Sequence, residues 1–456
     1  MSLTTPSKIR DLQIKLYRKA KNEPGYRFYL LYDKIYREDI LAHAYKLARA
    51  NKGAPGVDGQ SFEDIEWKGL GEWLTGIREE LRSKTYQPQP VRRVMIPKAG
   101  GGERPLGIPT IRDRVVQTAA KLVIEPIFEA DLEPNVYGYR PKRSAQNAIR
   151  EVHELLRKGH TDVVDADLSK YFDTIPHCEL MQCVARRIVD RDVLRLIQAW
   201  LTVPVEERDG NGKRHLTGGK DHHCGTPQGG VVSPMLANVY MNRLLKGWRN
   251  TKRGEQFRAR VVNYADDFVI LSSGKAKEAL DWTRKVVTRL GLTLNEAKTS
   301  IKQARTESFD FLGYTFGPQR HKKDGRWYLG ASPSKKSVAR VKQKVGDHLI
   351  PSNVGTWPEV RDRLNQILRG WLAYFSYGTR AAAYQAVDRY VYECVRHFLR
   401  RRHKVQSRGT TRFTDEVVFG RTGSSPASSS SIGASFVSLT VKPVGKPDAR
   451  KSACPV

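Results

Sequence analysis

Two apolar segments meet at an acidic turn in the stretch Arg260-Val-Val-Asn-Tyr-Ala-Asp-Asp-Phe-Val-Ile-Leu271. β-Branched and aliphatic residues on both sides predict two strands joined as a hairpin. The turn carries Asp266 and Asp267 side by side. An Asp-Asp pair on its own also occurs in solvated turns, but two carboxylates held close together between apolar strands repel each other and need a counter-ion. A bound metal ion is the counter-ion that we favour.

A third aspartate follows another predicted strand. Val163, Val164 and Ala166 precede Asp167, so all three carboxylates are expected on neighbouring β-elements. Nucleotidyl transfer uses two metal ions about 3.5–4 Å apart, which activate the attacking hydroxyl and stabilise the leaving pyrophosphate. Mg²⁺ takes a few carboxylates together with water and substrate phosphates. We therefore predict that Asp167, Asp266 and Asp267 are catalytic residues and the ligands of two Mg²⁺ ions.

The charge of the chain indicates a polyanionic partner. Its 456 residues include 79 Lys and Arg against 48 Asp and Glu, a net charge of +31. Such a charge disfavours the compact state by self-repulsion unless a polyanion offsets it. No apolar run approaches the roughly 20 residues that span a bilayer, so a membrane partner is not expected. Nucleic acid is the better partner.

Cysteine usage and the N-terminus bear on the compartment. The five cysteines form no Cys-x-x-Cys pair, so neither a structural zinc site nor a disulfide framework is predicted. The first ten residues lack the continuous apolar stretch of a secretion signal. A reducing cytoplasm is the expected location.

Local patterns predict the secondary structure along the chain. Helical spacing up to about Asn51 predicts a helical lead-in, and three glycines and a proline between Lys52 and Gly59 predict a turn. Further helices are expected at about 112–127, 145–158 and 280–290, a hairpin at 86–109, and a short hairpin or strand at 309–316. Beyond about residue 332 the helices become rich in Lys and Arg. The serine-rich run from residue 420 predicts a largely unstructured tail.

Several motifs follow one another in order. They are Arg104-Pro-Leu-Gly-Ile-Pro109, Asp165-Ala-Asp-Leu-Ser-Lys-Tyr-Phe-Asp-Thr-Ile-Pro-His177, Gly225-Thr-Pro-Gln-Gly-Gly-Val-Val-Ser-Pro234, Lys298-Thr299, Phe311-Leu-Gly-Tyr314 and Leu364-Asn-Gln-Ile-Leu-Arg-Gly-Trp371. Together with Tyr264-Ala-Asp-Asp267, the series resembles the group II intron-encoded reverse transcriptases of bacteria over residues 26–419. Any one motif could be accidental, but the ordered set is specific.

This resemblance implies an α+β right-hand polymerase fold, with fingers and palm built around an antiparallel sheet and followed by an α-helical thumb or maturase domain. The expected domains are a helical extension (1–51), fingers and palm (52–331), thumb (332–410) and a poorly matching tail (411–456). The implied activity is RNA-directed DNA polymerisation, with dNTPs as substrates. The implied partners are template RNA, the parent intron RNA and a DNA primer or target. The oligomeric state stays open, a dimer included.

The resemblance also assigns roles at the nucleotide site. Lys98 and Arg104 match fingers residues that bind the triphosphate, although both could be solvated hairpin charges. Phe172 matches the aromatic gate that excludes a 2′-hydroxyl, and a plain core aromatic is the alternative. Gln228 is expected beneath the nascent base pair, or in a simple turn. Lys298 resembles a lysine near the active site that could instead complete the packing of the palm.

A second set of residues is expected to bind primer and template. Gly313 lies in the motif that resembles the primer-supporting hairpin. The basic residues assigned to the nucleic-acid backbone are Lys335, Lys336, Arg340, Lys342, Lys344, Arg400, Arg401 and Arg402. A charge run is often a solvated face, but the overall charge and the interleaved aromatic residues favour nucleic-acid contact.

Three functions stay open at the level of sequence. The first is an active reverse transcriptase that also assists intron splicing and retrohoming. The second is an RNA-binding maturase whose polymerase site is vestigial; all three aspartates are present, which does not support it. The third is a domesticated polymerase in DNA repair or phage defence. Only Cys394 and Cys454 follow the palm, so a cysteine-paired endonuclease module is not expected.

Overall fold

The computed structural model describes residues 3–97, 102–208, 213–219, 222–321, 324–414 and 418–419. The chain divides into two compact units, the first ending at Leu312 and the second beginning at Gly313. Within these ranges no helix is long and apolar enough to cross a membrane.

Helices make up most of the first unit. In the described part they are α1 (Ser7–Asn22), α2 (Tyr32–Ile35), α3 (Glu38–Ala50), α4 (Phe62–Arg82), α5 (Ile111–Glu129), α6 (Ala145–Arg157), α7 (Tyr171–Thr174), α8 (His177–Ala185), α9 (Arg191–Leu201), α10 (Ser233–Asn250), α11 (Arg253–Gln256) and α12 (Ala276–Arg289). Capping residues determine where several of these helices begin. Ser61 caps α4 with Asp64 as its reciprocal partner, and Ser144 caps α6 with Asn147 in the same way.

One antiparallel sheet of this unit carries the acidic residues. Its strands are β3 (Asp162–Asp167), β6 (Ala259–Tyr264), β7 (Asp267–Ser272) and β8 (Ser300–Gln303), in the order β6-β7-β3-β8. The predicted hairpin is therefore β6 and β7, and β3 lies beside it. Val163, Val164 and Val269 to Leu271 are buried, because helices such as α6 and α12 contact the sheet.

A second sheet contains β1 (Val91–Pro97), β2 (Glu103–Ile108), β4 (Pro204–Arg208) and β5 (Arg214–Gly218), in the order β2-β1-β4-β5. β1 and β2 form the predicted hairpin, and β1 pairs with β4 in parallel. Lys98, predicted to bind the triphosphate, lies outside the described residues, as does the rest of the glycine tip to residue 101. The short strand β9 (Phe309–Phe311) lies close to the end of this unit.

The N-terminal helices share the main core of the first unit. Ile9, Ile35 and Leu41 are fully or almost fully buried in the same hydrophobic cluster as Val116 and Ile124 of α5. The predicted helical extension 1–51 therefore packs as part of the first unit, because burying its apolar faces needs α5 as a partner.

In the part that the structure describes, the second unit joins a hairpin to three helices. These elements are β10 (Tyr314–Arg320), β11 (Trp327–Pro333), α13 (Lys335–His348), α14 (Trp357–Tyr374) and α15 (Ala381–Arg402). The backbone N–H of Ser334 and the hydroxyl of Ser337 both donate to the Gly313 carbonyl, at 2.9 Å each, which ties the start of the hairpin to α13. The unit therefore begins before the expected boundary at 331/332.

The core of the second unit also extends past the expected thumb end at residue 410. Phe413, Val418 and Phe419 are buried in one cluster with Val391 and Val395 of α15. The predicted tail from residue 420 lies outside the described residues. The predicted α+β class is confirmed by the β-sheets and the surrounding helices of the described residues.

Candidate active site

Strand register brings the acidic residues together. In the antiparallel pair of β3 and β7, Asp167 lies directly opposite Asp267, and Tyr264 of β6 lies opposite the same Asp267. Asp266 occupies the two-residue turn with Ala265, whose φ of +60° is in the left-handed region. The three predicted catalytic aspartates therefore come to one end of one sheet, and a tight turn fixes the position of two of them.

A neighbouring segment holds this turn in place. Asn263 is fully buried, and its side-chain amide donates to the Ala265 carbonyl at 2.9 Å. The backbone N–H of Tyr137 donates to the Asn263 carbonyl at 2.8 Å. Gly138 packs so closely that a Cβ there would lie 2.5 Å from the Ala265 nitrogen. The turn is therefore supported from behind by residues 135–138, which sequence reasoning did not assign to the site.

The carboxylates form a mutually repelling cluster. Burial, together with the charges of Asp266, Asp167 and Asp165, raises the pKa of Asp267 to about 7, while Lys298 opposes this shift. Burial also raises the pKa of Asp165, whose carboxylate lies 3.9 Å from the Lys302 ammonium. Such strain in a folded chain is typical of a functional site that binds a compensating cation.

Lys298 supplies part of that compensation. Its ammonium donates to the Asp167 carboxylate at 2.7 Å, and the hydrogen bond raises the pKa of Lys298. The turn before it is anchored to the same strand, since the Asn295 N–H donates to the Asp167 carbonyl at 2.8 Å. Lys298 therefore lies at the carboxylate cluster.

The donor chemistry fits a hard divalent cation. Within the described ranges, no three Asp, Glu, His or Cys side chains are already arranged as a metal-binding group. The aspartates nevertheless offer only oxygen donors, at a strand end where their mutual repulsion calls for positive charge, and these are the ligands that Mg²⁺ prefers. Asp167, Asp266 and Asp267 are the residues that would hold it.

The predicted nucleotide residues of the fingers and palm are linked by hydrogen bonds. Arg104 of β2 donates from Nε to the Gln228 side-chain oxygen at 2.8 Å, and the Gln228 amide donates to Asp173 at 2.8 Å. The Gly107 N–H also donates to the Gln228 carbonyl at 2.6 Å. This close approach requires glycine at position 229, because a Cβ there would collide with the Gly107 carbonyl. Asp173, which belongs to the motif Asp165 to His177 and had no role predicted, is a direct partner of Gln228.

Phe172 lies on the short helix α7 and is 6% exposed. Its carbonyl accepts from the Thr226 N–H at 2.6 Å, which connects α7 to the loop that carries Gln228. Its ring meets that of Tyr139 edge to face, with centroids 6.3 Å apart. Tyr139 was not predicted as a site residue, and its place in the basic motif Gly138-Tyr-Arg-Pro141 was the only available signal.

The remaining predicted residues belong to the second unit. Lys336, Arg340 and Lys344 recur every four residues on α13 and are exposed, opposite the buried Val341 and Val345. Lys335, Arg401 and Arg402 are also exposed, whereas Lys342 and Arg400 are half-buried. The structure therefore presents basic side chains on α13 and at the end of α15, and the Gly313 carbonyl is used in packing against α13.

Comparison with known families covers both units. Residues 96–316 match the model described as reverse transcriptase (RNA-dependent DNA polymerase), and residues 338–414 match that of the group II intron maturase-specific domain. All three aspartates, Arg104 and Gln228 lie within the first match.

Two curated relatives and one solved structure show how far the similarity of this chain extends. Protein YkfC of Escherichia coli is 38% identical, over 67% of this chain and 87% of its own length. The group II intron-encoded protein LtrA of Lactococcus lactis is 30% identical over 64% of this chain, and the aligned region covers 57% of the length of LtrA. A solved telomerase structure from Candida albicans aligns over 77% of this chain and 68% of the telomerase chain, with 13% identity and a TM-score of 0.42. On the family matches and the likeness to YkfC, the chain belongs to the group II intron-encoded reverse transcriptases and maturases.

Proposed function

We propose that this chain copies RNA into DNA from dNTPs, with two Mg²⁺ ions held by Asp167, Asp266 and Asp267, and that it binds a group II intron RNA to assist splicing and retrohoming. The observation that carries the proposal is the convergence of these three carboxylates at one end of the sheet β6-β7-β3-β8. When bound, the two ions would lower the pKa of the primer 3′-hydroxyl and stabilise the leaving pyrophosphate.

The residues around the aspartates fit the incoming nucleotide. The Arg104 guanidinium approaches Gln228 through Nε alone, and a guanidinium matches phosphate oxygens in a two-point geometry. Gln228 is oriented by Asp173 and would lie under the new base pair. The Phe172 ring would fill the space that a ribose 2′-hydroxyl needs, which gives a preference for deoxynucleotides.

A maturase function is supported by a separate observation, the match of residues 338–414 to the maturase-specific domain. Exposed basic residues of α13 and α15, among them Arg340, Lys344, Arg401 and Arg402, lie in this segment and would contact RNA phosphates. An RNA-binding maturase without polymerase activity is therefore the second candidate, and it requires none of the acidic geometry.

Primer extension distinguishes the two candidates. The purified chain is given an RNA template with an annealed DNA primer, dNTPs and Mg²⁺, and the products are resolved by length. Extension that needs both the RNA template and Mg²⁺ supports the polymerase. A folded protein that binds intron RNA but extends no primer, over several templates and salt concentrations, leaves only the maturase function.

Replacing Lys298 with Met is expected to lower the Mg²⁺ concentration that gives half-maximal extension by about threefold. The ammonium 2.7 Å from Asp167 competes with a divalent cation for the same carboxylate, and charges at this range interact by about 1 kcal/mol or more near a protein surface. The free energy of unfolding should change by less than about 1 kcal/mol, because Lys298 is largely exposed.

Lys302→Met is the matched control for this prediction. Lys302 belongs to β8 of the same sheet and pairs with Asp165 at the longer distance of 3.9 Å. An Mg²⁺ titration that shifts equally in both variants would contradict a specific competition at Asp167.

Replacing Arg400, Arg401 and Arg402 together with Gln is expected to flatten the salt dependence of RNA binding. Each duplex phosphate contact adds about 0.9 to the slope of log affinity against log salt, so losing two or three contacts lowers the slope by about 2–3. The control removes three exposed charges from α12, at Lys277, Lys285 and Arg289. Equal slopes for the two triple variants would show that the α15 residues are a solvated face.

A further inference from the structure

Tyr139 occupies a position that packing of the core does not explain. It is 45% exposed, yet it holds a backbone φ of +55°, which is uncommon for a residue with a side chain. A residue kept in such a conformation without being buried is often held there for a local purpose.

The backbone on both sides of Tyr139 is fixed. On one side, Gly138 packs against the turn that carries Asp266, and its carbonyl accepts from the buried Asn238 amide at 2.8 Å. On the other side, the Arg140 guanidinium forms an ion pair with Glu129 at 2.7 Å and donates to the carbonyls of Glu133 and Val136. The side chain of Arg140 is only 6% exposed. Tyr139 is therefore presented from a rigid support.

The surroundings of the Tyr139 side chain are those of the proposed nucleotide site. Its ring stands at 78° to the Phe172 ring, with centroids 6.3 Å apart. Burial and the charge of Asp266 raise the pKa of its hydroxyl, while Arg104 lowers it. The phenol is thus close to the catalytic turn, to the fingers arginine and to the predicted gate.

We infer that Tyr139 is a positioning residue that holds Phe172 against the sugar of the incoming nucleotide and thereby sets the discrimination between deoxyribonucleotides and ribonucleotides. The inference rests on the proposed polymerase function and on Phe172 as its gate.

The local structure of Phe172 gives the physical reason. α7 has only four residues, and its N-cap Lys170 lies at a φ of +47°. So short a helix orients a side chain mainly through its neighbours, which for Phe172 are Tyr171, at 5.6 Å between ring centroids, and Tyr139. Tyr171 is buried on the inner side. Loss of the Tyr139 ring leaves the Phe172 ring free to move toward the space it vacates, so a 2′-hydroxyl meets less resistance.

The test measures kcat/KM for single dCTP and CTP additions opposite a template G, on an RNA template with a DNA primer. In Tyr139→Ala, we expect the ratio of kcat/KM for CTP to kcat/KM for dCTP to rise about three- to tenfold. This factor corresponds to the free energy that an edge-to-face aromatic contact contributes. Tyr139→Phe should restore the wild-type ratio, whereas Tyr139→Leu should not, because it fills volume without a ring edge. The rise should come mainly from a lower KM for CTP.

Two further variants make the result decisive. Tyr26 makes a similar edge-to-face contact with Phe28, at 4.9 Å and away from the acidic sheet, so Tyr26→Ala controls for general destabilisation. Phe172→Ala tests the gate itself and should raise CTP use more than Tyr139→Ala does. Adding Tyr139→Ala to Phe172→Ala should then have little further effect, because both act through one ring.

The outcomes separate the inference from the function on which it rests. If Phe172→Ala raises CTP use and Tyr139→Ala leaves the ratio unchanged while dCTP is still added, the positioning role is wrong and the polymerase stands. If Tyr139→Ala and Tyr26→Ala shift the ratio equally, the effect is one of stability and the inference also fails. If the wild-type chain adds no dCTP at all, the proposed function fails first.

Discussion

Asp267→Asn is expected to reduce primer extension by at least about 100- to 1000-fold while making the metal-free protein more stable. Asp267 lies opposite Asp167 in the strand register, and burial together with three neighbouring carboxylates raises its pKa to about 7. A raised carboxyl pKa means that the folded state disfavours the charged form. This group therefore destabilises the fold as the pH rises above the pKa that the carboxyl group has in the unfolded chain. A neutral amide of the same size removes that cost, which we estimate at roughly 1–3 kcal/mol near neutral pH.

Both effects are measured on the same samples, by primer extension and by thermal unfolding without divalent cations. Asp165→Asn is the control, because Asp165 is a partly buried carboxylate of the same sheet that also has a raised pKa. It should gain stability and keep most of its activity. Adding Mg²⁺ should stabilise the wild type more than Asp267→Asn. Full activity in Asp267→Asn would overturn the assignment of the three aspartates as metal ligands.

The acidic sheet could be predicted from sequence because its signals are local. Apolar strands on both sides of Tyr264 to Phe268 predict a hairpin, and the structure contains it as β6 and β7. The pairing of β3 with β7 is a long-range contact, and the ordered motifs supplied it through the family resemblance. The position of the aspartates on neighbouring strands therefore followed from sequence, but the raised pKa of Asp267 needed the geometry.

The support of the turn could not be predicted in the same way. The side-chain amide of Asn263 bonds to the Ala265 carbonyl, and residues 135–138 act through backbone hydrogen bonds and close packing. None of these contacts produces a recognisable sequence pattern. The positive φ of Tyr139 is equally hidden, because the region is normally a property of glycine or asparagine. By contrast, the start of α4 is visible in the sequence as the capping pair Ser61 and Asp64.

Unit boundaries also depended on contacts rather than composition. The increase in basic residues after 332 marks the surface of α13, whereas the packed unit begins at Gly313. Charge patterns report which faces meet solvent or nucleic acid, and hydrogen bonds such as Ser334 to Gly313 report which segments fold together. The boundary indicated by charge and the boundary set by these contacts therefore differ by the length of the hairpin formed by β10 and β11.

Gly138→Ala is expected to reduce the rate of extension by about 100-fold, although no catalytic group is changed. Backbone strain is not the cause, since Gly138 is absent from the positive-φ glycines of the described residues. The cause is space: the new Cβ would lie 2.5 Å from the Ala265 nitrogen and 3.1 Å from the Tyr264 carbonyl carbon, both backbone atoms. The turn must move by several tenths of an ångström or more, and Asp266 moves with it. Overpacking of this kind costs about 1–3 kcal/mol of unfolding free energy.

Gly76→Ala provides the matched control, because Gly76 lies in α4 with no atom within 4 Å of the added Cβ. That variant should keep full activity and gain up to about 1 kcal/mol from better helix propensity. Extension is measured at saturating dNTP, so that a loss in kcat reports the displaced turn rather than weaker nucleotide binding. A Gly138→Ala protein that is destabilised but retains kcat would mean that the turn relaxes around the methyl group. In that case residues 135–138 stabilise the fold without fixing the geometry of the carboxylates.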